Sequence, residues 1–555
     1  MHHSIASSAK PLFLLCTFNP ASRSLLLVAF GALAGLAFAP LYCWPAIPLS
    51  WIALFKTMDT SKHTIPATVK PFFMWCFGFF LVSFYWVSFS ISADFTRLWF
   101  MLPLSFLGIP FVLALLHTVV LSFFLLFFQQ HNTNNNFAFV LTFYLSWICS
   151  EWLREALPLP QLPWNFLAHS WGGTSAIMQS TSLFGVYTLS FLTCGFFLLP
   201  ALWRAPKDRQ HRKIKTYTTA GFLLVFFLIA VWGHFRPTTL DYHPHVFMRI
   251  VQPNIPAHEK LRGHAFQRIH FLKLTRLTKQ PSTETLTHIL WPEAAFSLFI
   301  SSSEIVPFKP PVNDNQILIA GLMREEKDKV FNSLFVLSSL GYIQSVYDKK
   351  HLAPFGEYIP GRTFLEKLLP KRTLKAVTMN TQDFSAGEGA QSLALRGAPS
   401  FYPLICFDTA FNKPYIFKPN RPQWFLETTN DAWFKNSWAL YQHLDLARFK
   451  AIEYGLPLVR TTNTGVSALI SPYGEILEKL PVLEEGILDF KLPKPLSYTL
   501  FQKVHHSFFI TGLCVLFIVL LWLTATRKTS TFRTTAQKTA YSQKNAKHTR
   551  TIRKK

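Results

Sequence analysis

Acidic residues are scarce in this 555-residue chain: 29 Asp and Glu stand against 54 Lys and Arg, a formal net charge of +25. The segment RKTSTFRTTAQKTAYSQKNAKHTRTIRKK (527–555) has no acidic residue and few apolar ones, so it cannot build a core and is expected to be disordered. Such a balance would suit nucleic acid, yet no recognition motif accompanies it, and much of the excess flanks apolar runs. Anionic lipid headgroups explain the charge more simply, and no nucleic-acid partner is expected. Cysteine is the second scarcity. Seven are present, and within 236–504 there is Cys406 alone, which excludes a disulfide inside that region. No CxxC occurs there, and His351 and His443 lack ligand spacing, so neither a metal nor a cofactor is expected.

Charge is also thin inside long apolar runs such as LSFLGIPFVLALLHTVVLSFFLLFF (104–128) and AGFLLVFFLIAVWGHF (220–235). As helices these cross a hydrocarbon layer of about 30 Å. Eight candidate spans follow: 25–40, 43–58, 71–92, 104–128, 137–155, 184–203, 217–235 and 505–525. Basic segments stay on the cytoplasmic side, and both WRAPKDRQHRKIK (203–215) and the tail then share the side of the N-terminus. The chain divides into a cytoplasmic N-terminus (1–24), a membrane domain (25–235), an external domain (236–504), an eighth span (505–525) and a basic cytoplasmic tail (526–555). A cleaved signal ending at AFA (37–39) is rejected, because Pro40 follows and removal of the first span would break this parity.

Within 236–504 the pattern changes to short β-type runs: 245–253, 288–294, 315–323, 333–349 with a turn at Gly341, 401–408, 423–431 and 458–480. Between them lie helical stretches such as HLDLARFKAIEYG (443–455), so the domain is α/β and layered. A lone strand cysteine is most often core. Here, though, Glu293 follows one strand (LWPEAA), Lys349 ends a hairpin (YDKKHLAPFGEYIP), and Cys406 ends a third strand (FYPLICFD). A carboxylate to take a thiol proton, a thiolate to attack a carbonyl and an ammonium to hold the oxyanion suit acyl transfer, although spacing alone does not bring them together.

These segments, with TTNDAWF and TTNTGVSALISPYGEI, resemble in order the signatures of the nitrilase (carbon–nitrogen hydrolase) superfamily. With eight spans and the membrane-part motif EWLREALPLPQLPWN (151–165), nearly the whole chain to about residue 525 is similar to the bacterial apolipoprotein N-acyltransferases. The resemblance implies an αββα sandwich seated on a multi-pass helical membrane domain in the bacterial inner membrane, its catalytic domain facing the periplasm. It further implies Glu293 as general base, Lys349 as oxyanion stabiliser, Cys406 as nucleophile and Glu357 and Asp408 as supporting carboxylates. The implied partners are a phospholipid acyl donor, phosphatidylethanolamine, and diacylated apolipoprotein acceptors, with the protein a monomer.

The chain departs from that pattern at Phe407 and Asp408, where tyrosine and glutamate are usual, at Leu261, where tryptophan is usual, and at Lys435, where glycine often stands. The segments WFKNSWALY (433–441) and RTFLEKLLPKRTLKAV (362–377) mix apolar residues with lysine and are expected to form a membrane-facing entrance. Two other readings compete: a membrane-tethered amidase or nitrilase acting on small amides, and an inactive scaffold or transporter. The filled triad positions and the few charges in the spans disfavour the latter.

Overall fold

Each expected span is helical in the computed structural model, which describes residues 19–58, 65–91, 99–128, 136–158, 161–203, 209–261, 265–301, 304–368, 383–389, 391–415, 417 and 420–525. The basic tail, most of the N-terminal segment and residues 369–377 of the expected entrance lie outside the described residues. The membrane helices are α1 (Pro20–Ala34), α2 (Ala46–Thr57), α3 (Ile65–Phe84), α4 (Ile109–Phe127), α5 (Asn136–Ala156), α6 (Thr181–Phe197) and α7 (Arg209–His234), with Ser507–Ala525 closing the set. Six stretches among the described residues are long and apolar enough to cross a bilayer. The exceptions are α2 and α5. Twelve residues make α2 only about 18 Å long, and α5 carries Glu151, Arg154 and Glu155, all buried inside the protein.

Those α5 charges survive in an apolar setting because each is answered. Glu151 accepts from Trp147 Nε1 (3.1 Å), Leu167 N (2.9 Å) and Ser190 Oγ (2.7 Å). Arg154 donates to Trp164 O (3.0 Å) and lies 4.9 Å from the Phe166 ring centre. Around them Trp51, Trp75 and Trp147 pack with centroids 5.3–6.2 Å apart.

Helices α1 and α3 meet backbone to backbone through Gly31 and Gly78. A methyl at Gly78 would stand 2.0 Å from Val28 O, and one at Gly31 would stand 2.0 Å from Trp75 O. Dispersion at that close approach is what holds such a pair in lipid. Because backbone cannot rotate away as a side chain can, Gly78→Ala is expected to cost about 1–3 kcal/mol, read as a lowered thermal midpoint in detergent.

The remaining chain folds as two facing sheets. The first holds β1 (Tyr242–Gln252), β2 (His288–Trp291), β3 (Phe299–Ser301), β4 (Ile317–Glu326), β5 (Lys329–Leu337), β6 (Ile343–Asp348) and β13 (Gly486–Pro493), in the order β13-β1-β2-β4-β5-β6 with β3 against β4. The second runs β12 (Ile476–Lys479), β11 (Ala468–Ile470), β10 (Leu458–Thr462), β9 (Trp424–Thr429), β8 (Ala398–Ile405), β7 (Leu393–Leu395). Between the sheets lie Met248, Ile250, Leu290, Ile319 and Val336 from one side and Phe401, Ile405, Trp424, Leu426 and Val459 from the other. Helix α8 (Gln267–Thr278) covers the outer face of the first sheet through Leu274 and Leu277. Helix α9 (Trp438–Tyr454) covers the second through Leu444, Ala447 and Ala451, the residues whose spacing predicts that helix. The order is α, β, β, α.

The strand expectations hold for β1, β2, β4 to β6 and β8 to β12, with the β5–β6 turn at Gly341 in the left-handed region (φ 87°). Strands β3 and β7 are three residues each, too short to show alternation. Strand β13, which the sequence reading misses, runs antiparallel to β1 at the sheet edge, where its terminal Pro493 is tolerated.

Candidate active site

In each sheet the parallel strands β1, β2, β4 and β8, β9, β10 run in one direction, so the residues that follow them gather at one end of the sandwich. Glu293 lies two residues beyond β2, and Lys349 directly follows β6. Glu293 can lie there because Gly321 of β4 has no side chain: a methyl at Gly321 would stand 2.6 Å from Glu293 Cα.

Lys349 Nζ is 3.5 Å from Glu293 Oε1 and 2.9 Å from Glu357 Oε2. Asn332 Nδ2 bridges the carboxylates, donating to Glu293 Oε1 (2.7 Å) and Glu357 Oε1 (2.8 Å). Asn430 N donates to Glu293 Oε2 (2.7 Å), and Ala353 N to Glu357 Oε2 (2.8 Å). Burial alone would lower the Lys349 ammonium, but the charges of Glu357 and Glu293 outweigh it and hold the group well above its ordinary range. It stays cationic.

Cys406 opens a 3₁₀ turn at the end of β8 with φ 49°, a left-handed conformation unusual for a residue with a side chain. Burial pushes its thiol well up and Glu293's charge adds to the shift, while Lys349 pulls the other way. Lys349 favours the thiolate, but in the resting site burial outweighs the cation and the thiol is held toward its protonated form.

Asp408 stands behind this group. Its carboxylate accepts from Tyr347 Oη (2.8 Å), Ile405 N (3.1 Å) and His351 N (3.0 Å), with His351 Nδ1 at 3.0 Å, so it pins the turn to the end of β6. Burial would raise Asp408, yet the His351 bonds prevail and hold it below its ordinary value. Phe407 turns inward against Phe411, centroids 5.2 Å apart. Lys435 has φ 48°, which accounts for a glycine being common there. Leu261 ends the short helix Ala257–Leu261, and its side chain lies outside the described residues. Just before it, Lys260 Nζ donates to Ala294 O (2.9 Å), and burial draws its ammonium down to about 7.

Sequence reasoning misses the buried charges beneath Cys406. His443 of α9 has Nε2 3.2 Å from Cys406 O and 3.0 Å from Glu427 Oε1, and its Nδ1 is 3.1 Å from Asp431 Oδ1. Arg460 pairs with Glu427 and, at 2.8 Å, with Asp431. Strand alternation cannot reveal them, since Glu427 and Arg460 sit as register partners in β9 and β10 and satisfy each other. Burial and Arg460 both lower His443, but Asp431 and Glu427 outweigh them and raise it above its ordinary 6.5. A raised native value means stability fully present below 6.5 and lost as pH rises through the native value. The gap in thermal midpoint between wild type and His443→Gln should accordingly be larger near about pH 5 than near about pH 9.

The expected entrance segment 433–441 rests on the turn that follows α3: Phe434 packs edge-on to Trp86 (4.9 Å) and Trp438 to Tyr85 (5.6 Å). Phe364, in the other segment, is exposed, as is Phe355 beside Glu357, whereas the side chain of Leu368 lies outside the described residues. Among the described residues no cluster of three or more His, Cys, Asp or Glu is arranged to hold a metal.

Residues 30–199 match the apolipoprotein N-acyltransferase N-terminal domain, and residues 311–497 match the carbon–nitrogen hydrolase domain. The apolipoprotein N-acyltransferase of Rhodopseudomonas palustris is 32% identical over 504 residues, covering 87% of this chain and 91% of that protein. The protein of the same name from Bradyrhizobium diazoefficiens is 30% identical, with 87% and 91% covered, and that from Rickettsia typhi 29%, with 88% and 96%. With a thiol, a carboxylate and an ammonium gathered at one end of a sandwich that rests on apolar helices, this chain belongs to the apolipoprotein N-acyltransferase family of membrane proteins.

Proposed function

We propose that this protein moves an acyl chain from a phospholipid, phosphatidylethanolamine, to the free α-amino group of an S-diacylglyceryl-cysteine at a lipoprotein N-terminus. The observation that carries the reading is Lys349 between Glu293 and Glu357, gathered with the Cys406 turn at one end of a sandwich that packs on the membrane domain through Phe434 and Trp86. Glu293 takes the Cys406 proton as sulfur attacks the ester carbonyl, and Lys349 meets the charge on oxygen. Collapse breaks the ester bond, the departing lysophospholipid oxygen takes the proton from Glu293, and a thioester remains. The acceptor amine then attacks that thioester, gives its proton to Glu293 and expels the Cys406 sulfur, which recovers the proton, leaving an amide. Glu357 holds Lys349, and Asp408 holds the turn.

In this reading the protein is a monomer of the inner membrane, with residues 236–504 on the periplasmic face and 526–555 in the cytoplasm. Parity and the basic segments support that orientation. An impermeant lysine reagent on intact spheroplasts should label the sandwich and spare the tail; the opposite pattern overturns the topology. The reaction is tested by mass spectrometry of one lipoprotein N-terminus from cells with and without this protein. Triacylated peptide should give way to diacylated peptide when the protein is removed, and unchanged triacylation would refute the assignment.

A further inference from the structure

A buried membrane carboxylate meets the loop that follows Cys406. Glu155, near the end of α5, is 2% exposed. Its oxygens accept from Asn412 N (3.0 and 3.1 Å), Lys413 N (3.1 Å) and Asn412 Nδ2 (3.3 Å), and Tyr187 Oη of α6 donates to it at 2.6 Å. On the other side of the same peptide, Asn412 O faces His506 Nε2 at 2.9 Å, just before the last span. Glu155 and His506 thus hold the Asn412–Lys413 backbone from two sides, with Tyr187 steadying Glu155.

Between that peptide and the nucleophile the chain has little freedom. Residues Cys406–Ala410 form the 3₁₀ turn, and Phe411 stacks on His351 at 4.0 Å. Lys450 Nζ holds Phe411 O at 2.8 Å, and Asp408 ties the turn back to Ile405 N. Cys406 itself sits at φ 49°, a conformation that persists only where its surroundings over-determine it.

We infer that Glu155 is a positioning residue for Cys406, through which the membrane domain holds the nucleophile's turn in register with Glu293 and Lys349. The inference rests on the thioester reading for its turnover arm alone. An amide in place of the carboxylate keeps one acceptor for the Asn412 and Lys413 N–H groups but turns an NH2 toward Tyr187 Oη and Asn412 Nδ2, which both donate to Glu155, so the grip loosens and the loop can shift. A displacement of about 1 Å at a reacting group costs up to about 10²-fold in rate.

The test uses the full-length protein in detergent, comparing wild type with Glu155→Gln and with Tyr187→Phe, which loosens Glu155 while leaving its carboxyl group in place. Two quantities are read: single-turnover acylation against phospholipid concentration, and the pH profile of Cys406 alkylation by iodoacetamide, located by peptide mapping. Expected in Glu155→Gln is a fall of about 10–10²-fold in the saturating acylation rate per folded molecule, with half-saturation near wild type. The alkylation profile should shift, and Tyr187→Phe should move both readouts the same way by less. An unchanged alkylation profile in both variants, or a change confined to half-saturation, would overturn the inference. Should wild type itself form no acyl adduct, the thioester reading fails, and the alkylation profile alone still decides whether Glu155 positions the thiol.

Discussion

Cys406→Ala abolishes transfer altogether, leaving no turnover above the uncatalysed rate. Alanine offers no atom that can carry the acyl group, and the remaining site is arranged around sulfur rather than around water. Glu293 is fixed by Asn332 and Asn430 N, and Lys349 by Glu357. The left-handed turn tolerates alanine no worse than cysteine, so the fold should be kept. Acylation assays on protein of unchanged thermal midpoint check this. Residual transfer at even about a hundredth of the wild-type rate would point to a different nucleophile.

Lys349→Met has the second largest effect, a loss of about 10²–10³-fold in kcat if the ammonium is the oxyanion donor. Two consequences of the change must be separated. Removing the cation leaves Glu293 and Glu357 facing each other across Asn332, which destabilises the site, typically by about 3–5 kcal/mol when one partner of a buried pair is lost. The rate must therefore be taken per folded molecule. Glu293→Gln separates base from structure: the amide still accepts from Asn430 N but cannot take the thiol proton. Its acylation rate should fall by about 10²–10⁴-fold, and recover in part as pH rises toward the raised range of the thiol.

Both changes bear on residues that are legible in the sequence, and the reason is geometric. Glu293, Lys349 and Cys406 each follow a strand, and strand ends show in the pattern because an apolar run stops there. Helix α9 is legible from Leu444, Ala447 and Ala451, which recur on the face that meets the sheet. Asn332 is hidden because it lies mid-strand in β5, where a polar residue reads as an ordinary solvent-facing position. Glu427, Arg460 and His443 escape for a related reason: their partners come from different strands and a helix, and no spacing along the chain encodes a contact across it. The α5 charges sit in a run that reads as apolar, and only their hydrogen bonds reveal why they are tolerated there.

In the proposed reaction Cys406 carries the acyl chain as a thioester. Intact-protein mass spectrometry after incubation with phospholipid, and with no lipoprotein acceptor present, tests it most directly. Wild type should gain the mass of one acyl chain, lose it to hydroxylamine, and show no such gain in Cys406→Ala. Wild type without the adduct, or Cys406→Ala still carrying it, would contradict the account.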